Sequence, residues 1–116
     1  MSTLADVSRK SAPVAVITGA GQGIGRAIAH KLASEGYSLA LGDIASNQKR
    51  LEEVAAECTE VYKRTTTDGV GPIVYFGPCD VTSEPQVQAL VQAAVEKLGG
   101  IDLASSQHFV LIHDQF

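Results

Sequence analysis

Four glycines fall at alternate positions in Gly19-Ala20-Gly21-Gln22-Gly23-Ile24-Gly25, directly after the run Val14-Ala15-Val16-Ile17-Thr18 and at the start of residues with helical spacing, Ile24, Ala27, Ile28 and Leu32. Few chain conformations tolerate this order. The first run is short, β-branched and apolar at consecutive positions, the composition of a strand buried on both faces. The period that follows belongs to a helix, and Gly36 stands where that helix would stop. The glycines between them let the backbone turn tightly and come close to whatever occupies the turn, because no side chain intervenes.

The same alternation continues along the chain. Tyr37 to Asp43 reads as a second strand, and Leu51, Val54, Ala55 and Cys58 recur at helical offsets in a second helix. Thr59 to Pro72 is polar, with three consecutive threonines and Asp68-Gly69-Val70-Gly71-Pro72, and is expected to form a loop or a frayed helix end. Ile73 to Phe76 supplies a third strand. Ser83 with Gln86 has the form of a capping box, opening a third helix that turns Val87, Leu90, Val91, Ala94 and Leu98 inward and ends at Gly99-Gly100. Ile101 to Leu103 begins a fourth strand, which Ser105-Ser106-Gln107-His108 is expected to interrupt early, at Ala104. Such alternation, with right-handed crossovers, predicts an α/β fold: a doubly wound parallel sheet of about four strands and three helices. The expected organisation is a polar leader over 1–12, one α/β unit over 13–103 and a divergent tail over 104–116.

A chain of 116 residues, 45% hydrophobic and 19% charged, suits a single core. Its 9 basic and 13 acidic residues leave a net charge of -4, without the basic excess that a nucleic-acid or anionic-membrane surface needs. The leader has no hydrophobic core of the signal-peptide kind, and no apolar run approaches the roughly 20 residues of a bilayer-spanning helix. A soluble, cytoplasmic protein without nucleic-acid or membrane partners is expected. Cys58 and Cys79 lack Cys-x-x-Cys spacing and read as buried thiols of a reducing compartment, a disulfide being the alternative.

A glycine turn that enters a helix also has chemistry. The first N–H groups of the helix lack intrahelical partners and carry partial positive charge, so an anionic dinucleotide fits there. The spacing Thr-Gly-x-x-x-Gly-x-Gly, rather than Gly-x-Gly-x-x-Gly, resembles that of the short-chain dehydrogenase/reductase family, and the resemblance runs from about Pro13 to Leu103. It implies a truncated Rossmann sheet in which Gly19, Gly23, Ile24 and Gly25 line the pyrophosphate and Gln22 lies near the adenosine ribose. Cys79-Asp80-Val81-Thr82 looks like the family's Asp-Val segment, which implies adenine contacts for Asp80 and Val81. Asp80 and Thr82 also read as caps of the next helix, and both roles can hold together. Asp43, ending the second strand, can accept hydrogen bonds from both ribose hydroxyls and repel a 2′-phosphate, which favours NAD over NADP; its alternative role is to cap the second helix. Gln22 agrees with that preference, since family members that use NADP often carry Arg or Lys near the turn and the turn here has neither.

In the family, strand four ends in Asn-Asn-Ala-Gly, and catalysis then needs a Ser and a Tyr-x-x-x-Lys pair. Here Leu103 is followed by Ala104-Ser105-Ser106-Gln107, and none of Tyr37, Tyr62 or Tyr75 has Lys four positions later. A phenol poised to exchange a proton with the substrate oxygen, its pKa lowered by an ammonium, cannot be assembled from such residues. No catalytic residue is assigned, and no metal site is read from His108 and His113. The family implies an oxidoreductase that interconverts an alcohol and a ketone with NAD, nearest in look to diacetyl/acetoin reductases, the chain itself being truncated and inactive alone. A noncatalytic NAD-binding module, a partner of a full-length relative, and a nonfunctional truncated product are the alternatives. The tail, Ala104 to Phe116, reads as a truncated or altered reading frame, with Phe109 to Ile112 an improvised strand or a sticky terminus. A sheet cut at strand four is expected to be marginally stable and to leave an unpaired edge open to a like or unlike chain.

Overall fold

The β-branched run Val14–Thr18 becomes β1, buried at every position, at the centre of a five-stranded sheet in a computed structural model that describes residues 12–65, 72–105 and 110–112. The chain continues through α1 (Gly23–Ser34), β2 (Ser38–Asp43), a single 3-10 turn (Ala45–Asn47), α2 (Gln48–Thr65) and β3 (Val74–Pro78). Then follow α3 (Glu84–Ala93), whose last turn (Ala94–Leu98) widens to π geometry, β4 (Leu103–Ser105) and β5 (Val110–Ile112). The order across the sheet is β3-β2-β1-β4-β5. The first four of these in chain order are mutually parallel, as the alternation of strands and helices predicts, and β5 runs antiparallel to β4. No described helix is long and apolar enough to cross a membrane.

Period-two alternation divides β1 between two cores. Ala15 and Ile17 face α1 and α2, joining Ala29, Leu32, Ala33, Leu51, Val54 and Cys58; Val14 and Val16 face α3, joining Leu90, Ala94 and Leu98. The split follows from the path of the chain. It steps outward from β1 to β2 to β3 with its helices on one face, then crosses back over β1 to β4, and a right-handed crossover in that direction lays α3 on the other face. The strand order therefore reverses beside β1, and the crevice at the carboxyl ends of β1 and β4 is where ligands enter sheets of this kind. At the opposite end, the backbone N–H of Val14 donates to Asp102 Oδ2 at 2.8 Å while the Asp102 N–H donates to the Val14 carbonyl at 2.8 Å, fixing β4 to the start of β1.

Several local expectations change in three dimensions. Thr59 to Thr65 is helical rather than loop, because Tyr62 is buried and donates its hydroxyl to the Tyr37 carbonyl at 2.5 Å, holding the end of α2 against the start of β2. Thr59 and Thr65 turn their hydroxyls back onto the carbonyls of Ala55 and Val61, as helical threonines can. The capping box does not close: Ser83 makes no side-chain cap, and Gln86 Oε1 instead accepts from the Asp80 N–H at 2.8 Å. On α1 the small residues Ala29 and Ala33 face the sheet, leaving Ala27 exposed and Ile28 half-buried. β4 runs through Ala104 to Ser105, which is buried and pairs with Ile17, so the interruption expected at Ala104 does not occur. The open edge expected on β4 is occupied by β5, leaving β3 and β5 as the outer strands. The leader up to Ser11, the segment 66–71, and His108 and His113 lie outside the described residues.

Candidate functional site

The glycine turn is built by two residues in the left-handed region, Gly19 at φ 65° and Gly23 at φ 60°, conformations that L side chains rarely adopt. Gln22 between them is extended and enters α1 as its N-cap without a side-chain cap bond. The first turn of α1 also has no acidic residue, so no carboxylate of the helix itself offsets its N-terminal N–H groups. Gly25 is required for a different reason. A β-carbon on it would stand 2.1 Å from the Gly19 carbonyl oxygen, so the helix can pack on the turn only without one. The Ala20 N–H donates to the Gly42 carbonyl at 3.0 Å, which hangs the turn on β2.

Asp43 ends β2 beneath this turn, only 6% exposed. Its Oδ2 accepts the Gly21 N–H at 2.8 Å, and its Oδ1 accepts the Ile44 N–H at 2.8 Å and Asn47 Nδ2 at 3.1 Å. A carboxylate offers about four acceptor positions, so these bonds leave one on Oδ2. A cavity of about 260 Å³ is lined by Gly19, Gln22, Gly23, Ile24, Gly25, Asp43 and Asn47. It thus brings together six of the eight residues singled out in the sequence, together with Asn47, which the sequence reading had passed over. Thr18, the last residue of β1, adds a buried hydroxyl, 8% exposed and without a hydrogen-bond partner among the described residues.

Asp80 and Val81 are not on the cavity wall. They follow β3 on the same carboxyl side of the sheet, with Val81 37% exposed. The Asp80 carboxylate accepts the Thr82 hydroxyl at 2.7 Å and the Thr82 N–H at 2.9 Å, and these two bonds hold it below the usual carboxylate range. These bonds close the turn that precedes α3 and reach none of its N–H groups, and its N-cap, Ser83, makes no side-chain cap bond, so the helix-capping role read for Asp80 and Thr82 is not formed. The Cys79 N–H donates to the Asp43 carbonyl at 2.7 Å and ties this segment to the end of β2. Cys58 and Cys79 are free and buried, and burial pushes the Cys58 thiol up to about 11.

A second residue was invisible to the linear reading. No cation belongs to the glycine turn itself, but α2 brings Arg50 beside it, where the guanidinium donates to Gln22 Oε1. Asn47 and Arg50 are remote from the turn in sequence, and the register of β1 on β2 supplies their proximity.

A parallel α/β sheet with its order reversed beside β1, a glycine turn at that point and an acid at the end of the neighbouring strand define a Rossmann-type nucleotide-binding fold. The family described as short chain dehydrogenase matches residues 13–105. The chain belongs to the short-chain dehydrogenase/reductase family. It is 38% identical over 100 residues to a short-chain dehydrogenase/reductase of Armillaria gallica, covering 86% of this chain and 35% of that protein. An NAD+-bound xylitol dehydrogenase superposes with a TM-score of 0.67 at 34% identity, covering 83% of this chain and 33% of the other. The alcohol dehydrogenase of the archaeon Thermococcus sibiricus, complexed with 5-hydroxy-NADP, does so with a TM-score of 0.65 at 36% identity, covering 81% and 36%. The chain spans about a third of the length of the curated relatives it matches.

Proposed function

We propose that this chain binds NAD(H) at the glycine turn, in preference to NADP(H), as the nucleotide-binding part of an oxidoreductase that interconverts an alcohol and a ketone. The observation that carries the reading is the cavity shared by the turn and Asp43. The residues fit the group. Gly23 has nothing within 4 Å of where a β-carbon would be, so the turn is open to a pyrophosphate, and α1 offers uncapped N–H groups to it. The remaining acceptor position on Asp43 Oδ2 suits a ribose hydroxyl, and the buried charge disfavours a 2′-phosphate. The orphaned Thr18 hydroxyl is a further polar group that a ligand in the crevice would satisfy. At about 260 Å³ the cavity is smaller than the roughly 300–1,000 Å³ of sites that enclose a whole ligand. It suits the ribose and pyrophosphate alone.

In this reading Asp80 and Val81 border the adenine. Asp80 does so through its second carboxylate oxygen, since Oδ1 is engaged by Thr82, and Val81 through its backbone N–H. When bound, NAD(H) supplies the hydride acceptor or donor of the family's chemistry. This chain has no Tyr-x-x-x-Lys pair to exchange the accompanying proton, so the reading assigns it binding without turnover by itself. Buried free thiols support a cytoplasmic setting.

Calorimetric titration of the purified chain with NADH and NADPH tests the proposal. Saturable binding is expected, tighter for NADH, and Asp43→Ala should weaken NADH about tenfold, the worth of a charge-assisted hydrogen bond, while narrowing its advantage over NADPH. A folded chain that binds neither nucleotide, or an Asp43→Ala variant that binds NADH as the parent does, would overturn the reading.

A further inference from the structure

The helix α1 is apolar on two sides. Ala29, Leu32 and Ala33 face the sheet. Ile24, Ala27, Ile28 and Lys31 form a second row at i, i+3, i+4 and i+7, on the side where a surface helix ordinarily carries polar residues. Ile24 is 81% exposed. The row borders a groove of about 360 Å³ whose other wall is Leu103 and Ser105 of β4. Lys31 is the one charged residue among the described ones that line it, and its ammonium pairs loosely with Glu35, one turn on, at 3.4 Å. Ile24 also lines the nucleotide cavity, so one side chain is wall to both spaces. The row is self-complementary. Laid antiparallel on a second copy of itself, it sets Ile24 against Lys31 and Ala27 against Ile28, and then the same two pairs in reverse, as an isologous contact about a two-fold axis requires. The small Ala27 leaves room for Ile28 of the other copy, and the aliphatic stem of Lys31 lies along the other Ile24. The Lys31 ammonium then stands at the first turn of the other α1, which carries partial positive charge and no acid. That position repels a cation until an anion fills the site.

We propose that the chain pairs with a second copy of itself through this outer row of α1, and that Lys31 of each copy completes the pyrophosphate site of the other. A contact of one helical row per copy is small beside the roughly 1,200–2,000 Å² of standard interfaces, so the apolar surfaces alone hold the pair weakly. A bound pyrophosphate turns the ammonium from a repelled group into a charge-assisted donor. Nucleotide and second copy therefore strengthen one another, as linkage requires of two events that share one contact. This inference rests on the nucleotide site proposed above.

The test is sedimentation equilibrium of the full chain and its Ala27→Lys and Lys31→Gln variants, each with and without saturating NADH, beside calorimetric titration of NADH into each in dilute solution. Ala27 and Lys31 are exposed, so both variants should fold. Saturating NADH should lower the dissociation constant of the parent pair about tenfold per site, the worth of a charge-assisted hydrogen bond. Ala27→Lys sets a cation at the centre of the row, and should stay monomeric with NADH while binding it no more weakly than the dilute parent. Lys31→Gln keeps the stem and loses the charge, so its weak pairing should no longer respond to NADH. Pairing of the parent that NADH leaves unchanged overturns the proposal, as does parent-like pairing of Ala27→Lys or a parent-like response to NADH in Lys31→Gln. A parent that binds NADH and remains monomeric overturns it and leaves the NAD(H) reading standing. A parent that binds no NADH removes both.

Discussion

Two glycines of the turn fail in different ways when given a methyl group. At Gly25 the added carbon would meet the Gly19 carbonyl oxygen at 2.1 Å, and the obstacle is backbone, which has no rotamer to retreat into. Gly25→Ala must push α1 off the turn, and overpacking of this sort costs about 1–3 kcal/mol, with larger values where nothing yields. At Gly23 the carbon meets nothing within 4 Å, but φ is 60°, so Gly23→Ala costs only the strain of the left-handed region, about 1–2 kcal/mol. Chemical denaturation of both variants should therefore rank Gly25→Ala as the less stable. NADH titration should show weakened binding in each, from a displaced helix in one and from a methyl group in the cavity in the other. An Ala at Gly25 that left stability untouched would mean that the close approach of helix and turn is not as described. These glycines were legible in the sequence because their constraint is local: a strand, a turn and a helix within a few residues admit few side chains. Asn47 and Arg50 were not, since their place at the site depends on the pairing of β2 with β1 and on how far α2 overhangs it.

At the scale of elements, α1 and α2 are joined by a polar clamp as well as by their shared core. Glu57 of α2 accepts Arg26 Nε at 3.2 Å and Nη2 at 2.6 Å, and its Oε1 lies 2.7 Å from His30 Nε2. Partial burial pushes the Glu57 carboxyl up, but the hydrogen bonds from His30 and Arg26, with their charges, outweigh it and hold the group below its ordinary 4.5. A carboxylate depressed in the folded state stabilises the fold above its unfolded pKa and stops doing so as pH falls through the lower, folded value. Arg26, His30 and Glu57 are all a third or more exposed, so the clamp is worth about 1 kcal/mol or less. Thermal unfolding of Glu57→Gln against the parent should show the variant slightly less stable at pH 7, with the gap closing as pH drops below about 4.5. A gap that widened on acidification would mean that Glu57 is not the stabilising partner. The elements themselves were legible where pattern and burial coincide, as in β1 and the apolar face of α2. The end of α2 was not, because a run of threonines argues for a loop and only the distant Tyr37 carbonyl, bound by Tyr62, argues for a helix. Nor did local sequence separate a capping box from Gln86 bonding Asp80, which needs the β3–α3 connection to be folded first.

Across the whole molecule, the parallel sheet and its switch point follow from the strand-helix alternation, and the improvised strand expected over Phe109 to Ile112 forms as Val110–Ile112, but its pairing at the far edge was not legible. A sheet ending at β4 would present a row of unpaired N–H and C=O groups, a template for another chain. Here Val110–Ile112 lies antiparallel on β4, with Leu111 opposite Ala104 and Ile112 opposite Leu103. A short apolar run after a polar interruption carries no signal for parallel or antiparallel pairing, so only its position in the fold decides. The ladder also has consequences for solution behaviour, because β4 bridges β5 and the central β1. Leu111→Pro removes a backbone N–H from the middle of a three-residue strand and fixes φ near −65°, far from the roughly −140° of an antiparallel strand. The substitution leaves α1, the glycine turn and Asp43 untouched. Its expected effect is therefore to free the β4 edge while the nucleotide site stays intact. Sedimentation at increasing concentration should show self-association of Leu111→Pro beyond that of the parent, and NADH affinity in dilute solution should change less than about twofold if the two ends of the sheet are energetically independent. Parent-like sedimentation of the variant would show that the β5 pairing does not protect the β4 edge. A large loss of NADH affinity would show instead that β4, and through it β1, depends on β5 for its position under the turn.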